Sequence, residues 1–265
     1  MELVNLQISS VTNPVGIQES PYFSYVIKSD KKNVKQHHAL ITVREGNRIV
    51  WQHREDGEKS AFILYTGELK SRTRYETEVR AEDNYGNRSN IKGYFETALF
   101  KNDWQASWVK STLPIFHAEK GFGKQPPATL FQKDFLCEGK IKRARLYCTC
   151  HGIYRPYLNG RRFSGVEFAP EHSSYEKVLF FQTYDVTDFL QEGKNVFSMY
   201  VGDGWYCGVK TVPRVKNYER RHAVLFQLEI EYAGGEKEIV CSDENVRCSY
   251  GKVICSDLFA GERYD

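Results

Sequence analysis

Two short segments carry residue types that could do chemistry. Gly202-Asp203-Gly204-Trp205-Tyr206-Cys207-Gly208 puts a carboxylate and two large aromatic rings among three glycines. A saccharide site needs an aromatic plane for the C–H face of a sugar and amide or carboxylate partners for its hydroxyls. Asp203, Trp205 and Tyr206 supply these within one loop. Three glycines in seven residues also mean sharp bends and close backbone approach, out of keeping with the middle of a regular strand. The structural alternative is a loop whose Trp205 caps a core and whose Asp203 binds backbone N–H groups, and it is preferred. Tyr157-Leu158-Asn159-Gly160 is the second segment. Asn159 could offer its amide to a sugar hydroxyl or its carbonyl to a cation, yet Asn-Gly is also a common hairpin closer, the simpler reading.

Other constellations are weaker. Glu167 and Glu171 flank Phe168-Ala169-Pro170 and could be imagined as the paired carboxylates of glycoside hydrolysis. Nothing else marks that segment as catalytic. Ser173 with His172 and Asp185 lacks a nucleophile elbow. Of seven cysteines only Cys148 and Cys150 lie close together, and His151 beside them is a faint zinc signal. Two residues apart on a strand, the thiols are better read as small apolar groups facing one way.

These residues must be positioned by strands. Leu40–Val43, Ile49–Trp51, Phe62–Tyr65, Tyr75–Ala81 and Ile91–Thr97 carry strand patterns, and Asp83-Asn84-Tyr85-Gly86-Asn87 closes a hairpin between the last two. Arg143–Cys150 alternates Ala144, Leu146, Cys148 and Cys150 against Arg143, Arg145, Tyr147 and Thr149, which predicts a half-buried antiparallel strand. Val178–Tyr184, Asn195–Val201, Ala223–Tyr232 and Glu236–Cys241 continue the pattern, with Gly234-Gly235 as a tight turn. Val186–Gln191 reads as a helical turn, with Asp185 and Asp188 placed to cap it. Pro114–Pro127 reads as an irregular loop.

The 265 residues suit two modest domains. A formal charge of +3, from 37 basic and 34 acidic side chains, gives no clustered basic face for nucleic acid. No apolar run reaches the roughly 18–20 residues of a membrane helix. The start lacks a charged leader before an apolar run, and with reduced thiols this points to the cytoplasm.

Leu69, Thr73, Tyr75, Val79, Ala81 and Gly86 resemble the late strands of a fibronectin type III sandwich, Tyr75 standing where a corner tyrosine would. Further residues, in order, resemble the N-terminal modules of bacterial α-L-rhamnosidases. They are Asn13-Pro14-Val15-Gly16, Pro21-Tyr22-Phe23-Ser24-Tyr25 (Tyr25 where that family usually has Trp), Asn102–Trp108, Arg143–Tyr147, Gly152–Tyr154, Tyr157–Gly160, Phe168–Pro170, Thr183–Thr187, Gly202–Gly208 and Ser256–Asp265. The chain departs from the family at Glu171–Ser174, where Gly-Trp-Thr-Asp is usual.

The resemblance implies an all-β chain: a fibronectin-III/immunoglobulin-like sandwich over 1–98, a linker over 99–128, and a jelly-roll (galactose-binding-like) β-sandwich over 129–265. Trp104 and Trp108 would pack at the join. The resemblance further implies the non-catalytic N-terminal part of an enzyme that cleaves terminal α-L-rhamnose by inversion. Its acid and base would sit in a downstream (α/α) barrel of the same protein, and the sequence would be a piece of that longer chain. The alternatives are a structural docking domain, or a stand-alone module binding rhamnosylated glycans through Asn159, Asp203, Trp205 and Tyr206. Calcium is compatible with the resemblance, since some related modules bind rhamnose with it. The local spacing here assembles no calcium-ligand set.

Overall fold

The computed structural model describes residues 1–114, 127–208, 221–259 and 261–265. The chain divides into two compact units, Met1–Trp104 and Gln105–Asp265. The stretch 99–128, expected as a linker, is therefore shared. Leu99 is buried and the Phe100 N–H donates to Ser71 Oγ in the first unit. In the second, the Gln105 N–H donates to Gln227 Oε1 and the Ser107 N–H to the Ser242 carbonyl. Residues 115–126 of the expected loop lie outside the described residues. No described helix is long and apolar enough to cross a membrane.

The first unit is built from β1 (Glu2–Ile8), β2 (Val15–Ile17), β3 (Tyr22–Lys28), β4 (Gln36–Glu45), β5 (Arg48–Asp56), β6 (Ile63–Leu64), β7 (Arg74–Asp83) and β8 (Arg88–Thr97). One sheet runs β1-β3-β6 and the other β2-β8-β7-β4-β5. This is an immunoglobulin-like sandwich, with β2 pairing parallel to β8. Period-two alternation sends Ala39, Ile41 and Val43 of β4 and Tyr75, Val79 and Ala81 of β7 into the core. The corner tyrosine is in place: the Lys70 N–H donates to the Tyr75 hydroxyl at 2.8 Å while the ring stacks on Phe95, centroids 4.9 Å apart. Tyr25 lies fully in the core, and its hydroxyl donates to Gln36 Oε1 at 2.7 Å, so the buried phenol keeps a partner. Asp83 closes the expected hairpin by accepting the N–H groups of Tyr85 and Asn87, both at 2.9 Å. Gly86 there takes φ +81°, open to glycine without strain.

The second unit holds β9 (Val109–Lys110), β10 (Thr129–Cys137), β11 (Ile141–His151), β12 (Ile153–Leu158), β13 (Arg161–Arg162), β14 (Gln182–Asp185), β15 (Gly193–Gly202), β16 (Ala223–Tyr232), β17 (Lys237–Cys241), β18 (Arg247–Tyr250), β19 (Val253–Asp257) and β20 (Gly261–Tyr264). Its two five-stranded sheets run β13-β12-β15-β10-β18 and β14-β11-β16-β17, the latter with β9 also paired to β16, all pairs antiparallel, with β19–β20 as a separate hairpin. This is the expected jelly-roll-type β-sandwich. Its core draws Leu146 and Cys148 from β11, Phe197 and Met199 from β15, and Phe226 and Leu228 from β16. Each large side chain buried this way contributes about 1.5–3 kcal/mol over leaving it exposed.

Three local expectations change. The outer face of β11 is covered, not half-wet: Arg145, Tyr147 and Thr149 are buried. Arg145 pairs with Asp185 at 2.8 Å, and the Thr149 hydroxyl donates to the Phe180 carbonyl at 2.7 Å. Val178–Tyr184 is strand only from Gln182, where β14 pairs with Arg145–Cys148 of β11. The helical turn of Val186–Gln191 is a single 3-10 turn, Thr187–Phe189, and Asp185 takes the Thr187 N–H just ahead of it.

Candidate functional site

The glycine-rich segment leaves β15 at Gly202 and makes one helical turn, α1 (Gly204–Cys207). Each glycine is there because a neighbour stands where a Cβ would go. At Gly202 the obstacle is Ser256 Oγ; at Gly208 it includes Asp257 Oδ2, 2.8 Å away. At Gly204, with φ +54°, the Cβ would lie 2.6 Å from Ile153 Cγ2. The close approach read from the sequence is therefore contact with β12 and β19.

Asp203 is buried, 1% exposed, and its Oδ1 lies 2.8 Å from His222 Nε2. His222 Nδ1 lies 2.9 Å from Thr129 Oγ1, so a polar chain runs from α1 through the residue before β16 to the start of β10. Asp203 thus pairs with a histidine rather than with backbone N–H groups, and its own N–H donates to the Ser256 carbonyl. Burial pushes its carboxyl above the ordinary value, His222 pulls it back, and the charge of Asp257 adds to the rise. No open motif announces His222, so the sequence reading passed over it.

Trp205 and Tyr206 are half-buried and face a ribbon of rings. Tyr206 stacks on His151 at 4.2 Å, and His151 on Trp108 at 4.3 Å. Tyr175 meets Tyr206 edge-on, His172 meets both Tyr175 and Trp205, and Phe168 meets Trp205. The ribbon presents aromatic surface without polar partners from Asp203, which points away into the interior.

Asn159 is remote in role. At φ +50° it turns the chain between β12 and β13. Its Nδ2 donates to the Phe189 carbonyl and to Asn195 Oδ1, while its Oδ1 accepts the Val196 N–H. Both ends of the amide serve the fold.

The imagined carboxylate pair has another employment. Glu167 accepts from Arg162 at 2.8 Å and Arg155 at 3.3 Å. The hydrogen bond from Arg162, with the charge of Arg155, holds its carboxyl below the ordinary range, unsuited to a proton donor at neutral pH. Glu171 is exposed at φ +79°, and the Ser173 hydroxyl donates to the Val178 carbonyl. Cys148 and Cys150 are fully buried, and burial pushes the Cys148 thiol up to about 12. Among the described residues no group of three or more His, Cys, Asp or Glu is placed to hold a metal ion.

Two family models match. Residues 3–101 match the Rha78A-like, N-terminal immunoglobulin domain, and residues 139–265 match the alpha-L-rhamnosidase N-terminal domain. An α-L-rhamnosidase of Formosa agariphila is 27% identical over 290 residues, covering 97% of this chain and 30% of the relative. One of Streptomyces avermitilis is 42% identical over 126 residues, 48% of this chain and 12% of the relative. The solved α-L-rhamnosidase of Dictyoglumus thermophilum superposes with TM-score 0.84 at 27% identity, covering 99% of this chain and 31% of that one. The chain thus spans less than a third of the length of the curated relatives it matches. Both of its units match N-terminal domains of α-L-rhamnosidases, and the chain corresponds to the N-terminal, non-catalytic part of those enzymes.

Proposed function

We propose that this chain serves an α-L-rhamnosidase that removes terminal α-L-rhamnose from glycosides, with the acid and base supplied by a downstream (α/α) barrel of the same protein. The observation that carries the reading is the succession of both N-terminal domain types, in family order, along one chain. The Arg-bound state of Glu167 supports it, because it removes the best local candidate for a general acid. The product of the complete reading frame is expected to hydrolyse 4-nitrophenyl α-L-rhamnoside with inversion at the anomeric carbon, followed by proton NMR. Retention, or no turnover of this substrate, would count against the proposal.

A second reading gives the jelly-roll unit a hold on rhamnosylated glycans. The half-buried rings of Trp205 and Tyr206 support it. In this reading they form the apolar platform, while Asp203 and Asn159 act indirectly by fixing the two turns. The free thiols, with Cys241 and Cys248 half-buried, support a reducing, cytoplasmic setting.

A further inference from the structure

A cavity of about 480 Å³ lies on the outer face of the β13-β12-β15-β10-β18 sheet; none of the four residues singled out from the sequence lines it, although Phe168, which does, also meets Trp205. Its floor follows from strand alternation. Tyr154, Pro156 and Leu158 turn into the core, so Ile153, Arg155 and Tyr157 turn out. The β12–β15 register sets Tyr200 directly opposite Arg155 and Gly202 opposite Ile153. Glu167 and Phe168 wall one side, and the β19–β20 hairpin, with Ser256, Glu262 and Tyr264, the other. The volume falls within the roughly 300–1,000 Å³ of small-molecule sites.

Its chemistry is mixed in a specific way. Tyr157 and Tyr200 meet edge-to-face at 6.3 Å, and Phe168 and Tyr264 are 53% and 67% exposed. Between them the Arg155–Glu167 pair is about half exposed, 50% and 47%. A guanidinium donates and a carboxylate accepts, so the pair matches two adjacent hydroxyls, which do both. Glu167 is already shared with Arg162, and Glu262 and Asp257 also line the cavity, so an anionic ligand finds no surplus positive charge.

We propose that this cavity is a binding site for a neutral saccharide, held by the Arg155–Glu167 pair between aromatic walls and needing no calcium. The proposal deepens the second reading above by relocating its polar contacts. It is independent of whether the complete protein is a rhamnosidase.

The test is calorimetric titration of the whole chain with methyl α-L-rhamnoside and with rutinose, each with and without EDTA. Saturable heat that survives EDTA is expected. Arg155→Ala and Tyr157→Ala, both outward-facing, should each weaken binding about tenfold or more by stranding sugar hydroxyls or removing a wall. Circular dichroism on the same samples shows whether the variants fold, and Tyr264→Ala, at an exposed position of the opposite wall, serves as the alternate probe of the site. Absence of heat with both probes at millimolar concentration overturns the proposal together with the glycan reading. Binding abolished by EDTA overturns it. Binding lost in Trp205→Ala but unchanged in Arg155→Ala, Tyr157→Ala and Tyr264→Ala assigns the sugar to the aromatic turn and overturns only the cavity.

Discussion

Replacing His222 by alanine is expected to cost the second unit about 3–5 kcal/mol of stability, because it leaves a buried carboxylate without its charged or hydrogen-bonding partner. Asp203 is 1% exposed and His222 4%, so water does not substitute readily for the missing imidazole. The loss should depend on pH. The folded carboxyl of Asp203 is raised above its ordinary 3.8. A raised acid contributes stability that is complete below that value and lost as pH rises through the folded value. His222 limits the loss, so removing it raises the carboxyl further. The deficit of His222→Ala should therefore widen as pH rises from acid toward neutral and narrow on acidification. Asp83, Glu231 and Asp243 act in the opposite sense, their carboxyls being lowered, so their contribution falls away as pH drops. Taking variant minus wild type at each pH cancels them. Urea unfolding across that range measures the difference; a deficit independent of pH would show that the Asp203–His222 contact is not the cause.

Phe95→Ala should cost the first unit a similar amount, about 3–5 kcal/mol, by opening a cavity between its sheets. The ring is completely buried, stacks on Tyr75 at 4.9 Å, meets Tyr65 edge-on at 5.9 Å and lies 6.3 Å from Phe23. Phe95 and Tyr75 are also cross-strand partners on β7 and β8, so one deletion removes both a packing contact and a sheet pair. Tyr75→Phe makes the internal comparison. It keeps the ring and loses only the hydroxyl that receives the Lys70 N–H, for about 1 kcal/mol. Denaturant unfolding followed by fluorescence should rank Phe95→Ala well below Tyr75→Phe. The reverse order would mean that the corner hydrogen bond, not the aromatic stack, holds the sandwich closed.

The alternation of β11 was legible because a period of two survives whatever lies across the sheet. What covers its outer face was not, since Asp185 and the Phe180 carbonyl come from more than thirty residues away and carry no motif of their own. The same contrast governs the site. Three glycines in seven residues announced close contact, and the contacts exist, with Ile153, Ser256 and Asp257. The direction of Asp203 was hidden, because its partner His222 precedes a strand and looks unremarkable in sequence. Asn159 announced a turn correctly, and its amide is consumed by Asn195 and Val196. The cavity escaped notice because β12, β15 and the β19–β20 hairpin are far apart in the chain and meet only through sheet register.

Among the described residues no carboxylate pair is set up for acid–base work, and the Glu167 of the cavity on β12 and β15 is bound by two arginines. The direct measurement is the rate of nitrophenolate release from 4-nitrophenyl α-L-rhamnoside by the purified 265-residue chain. The expected rate equals that of buffer alone. Release above buffer that disappears in Glu167→Gln would contradict the account and make this carboxylate catalytic.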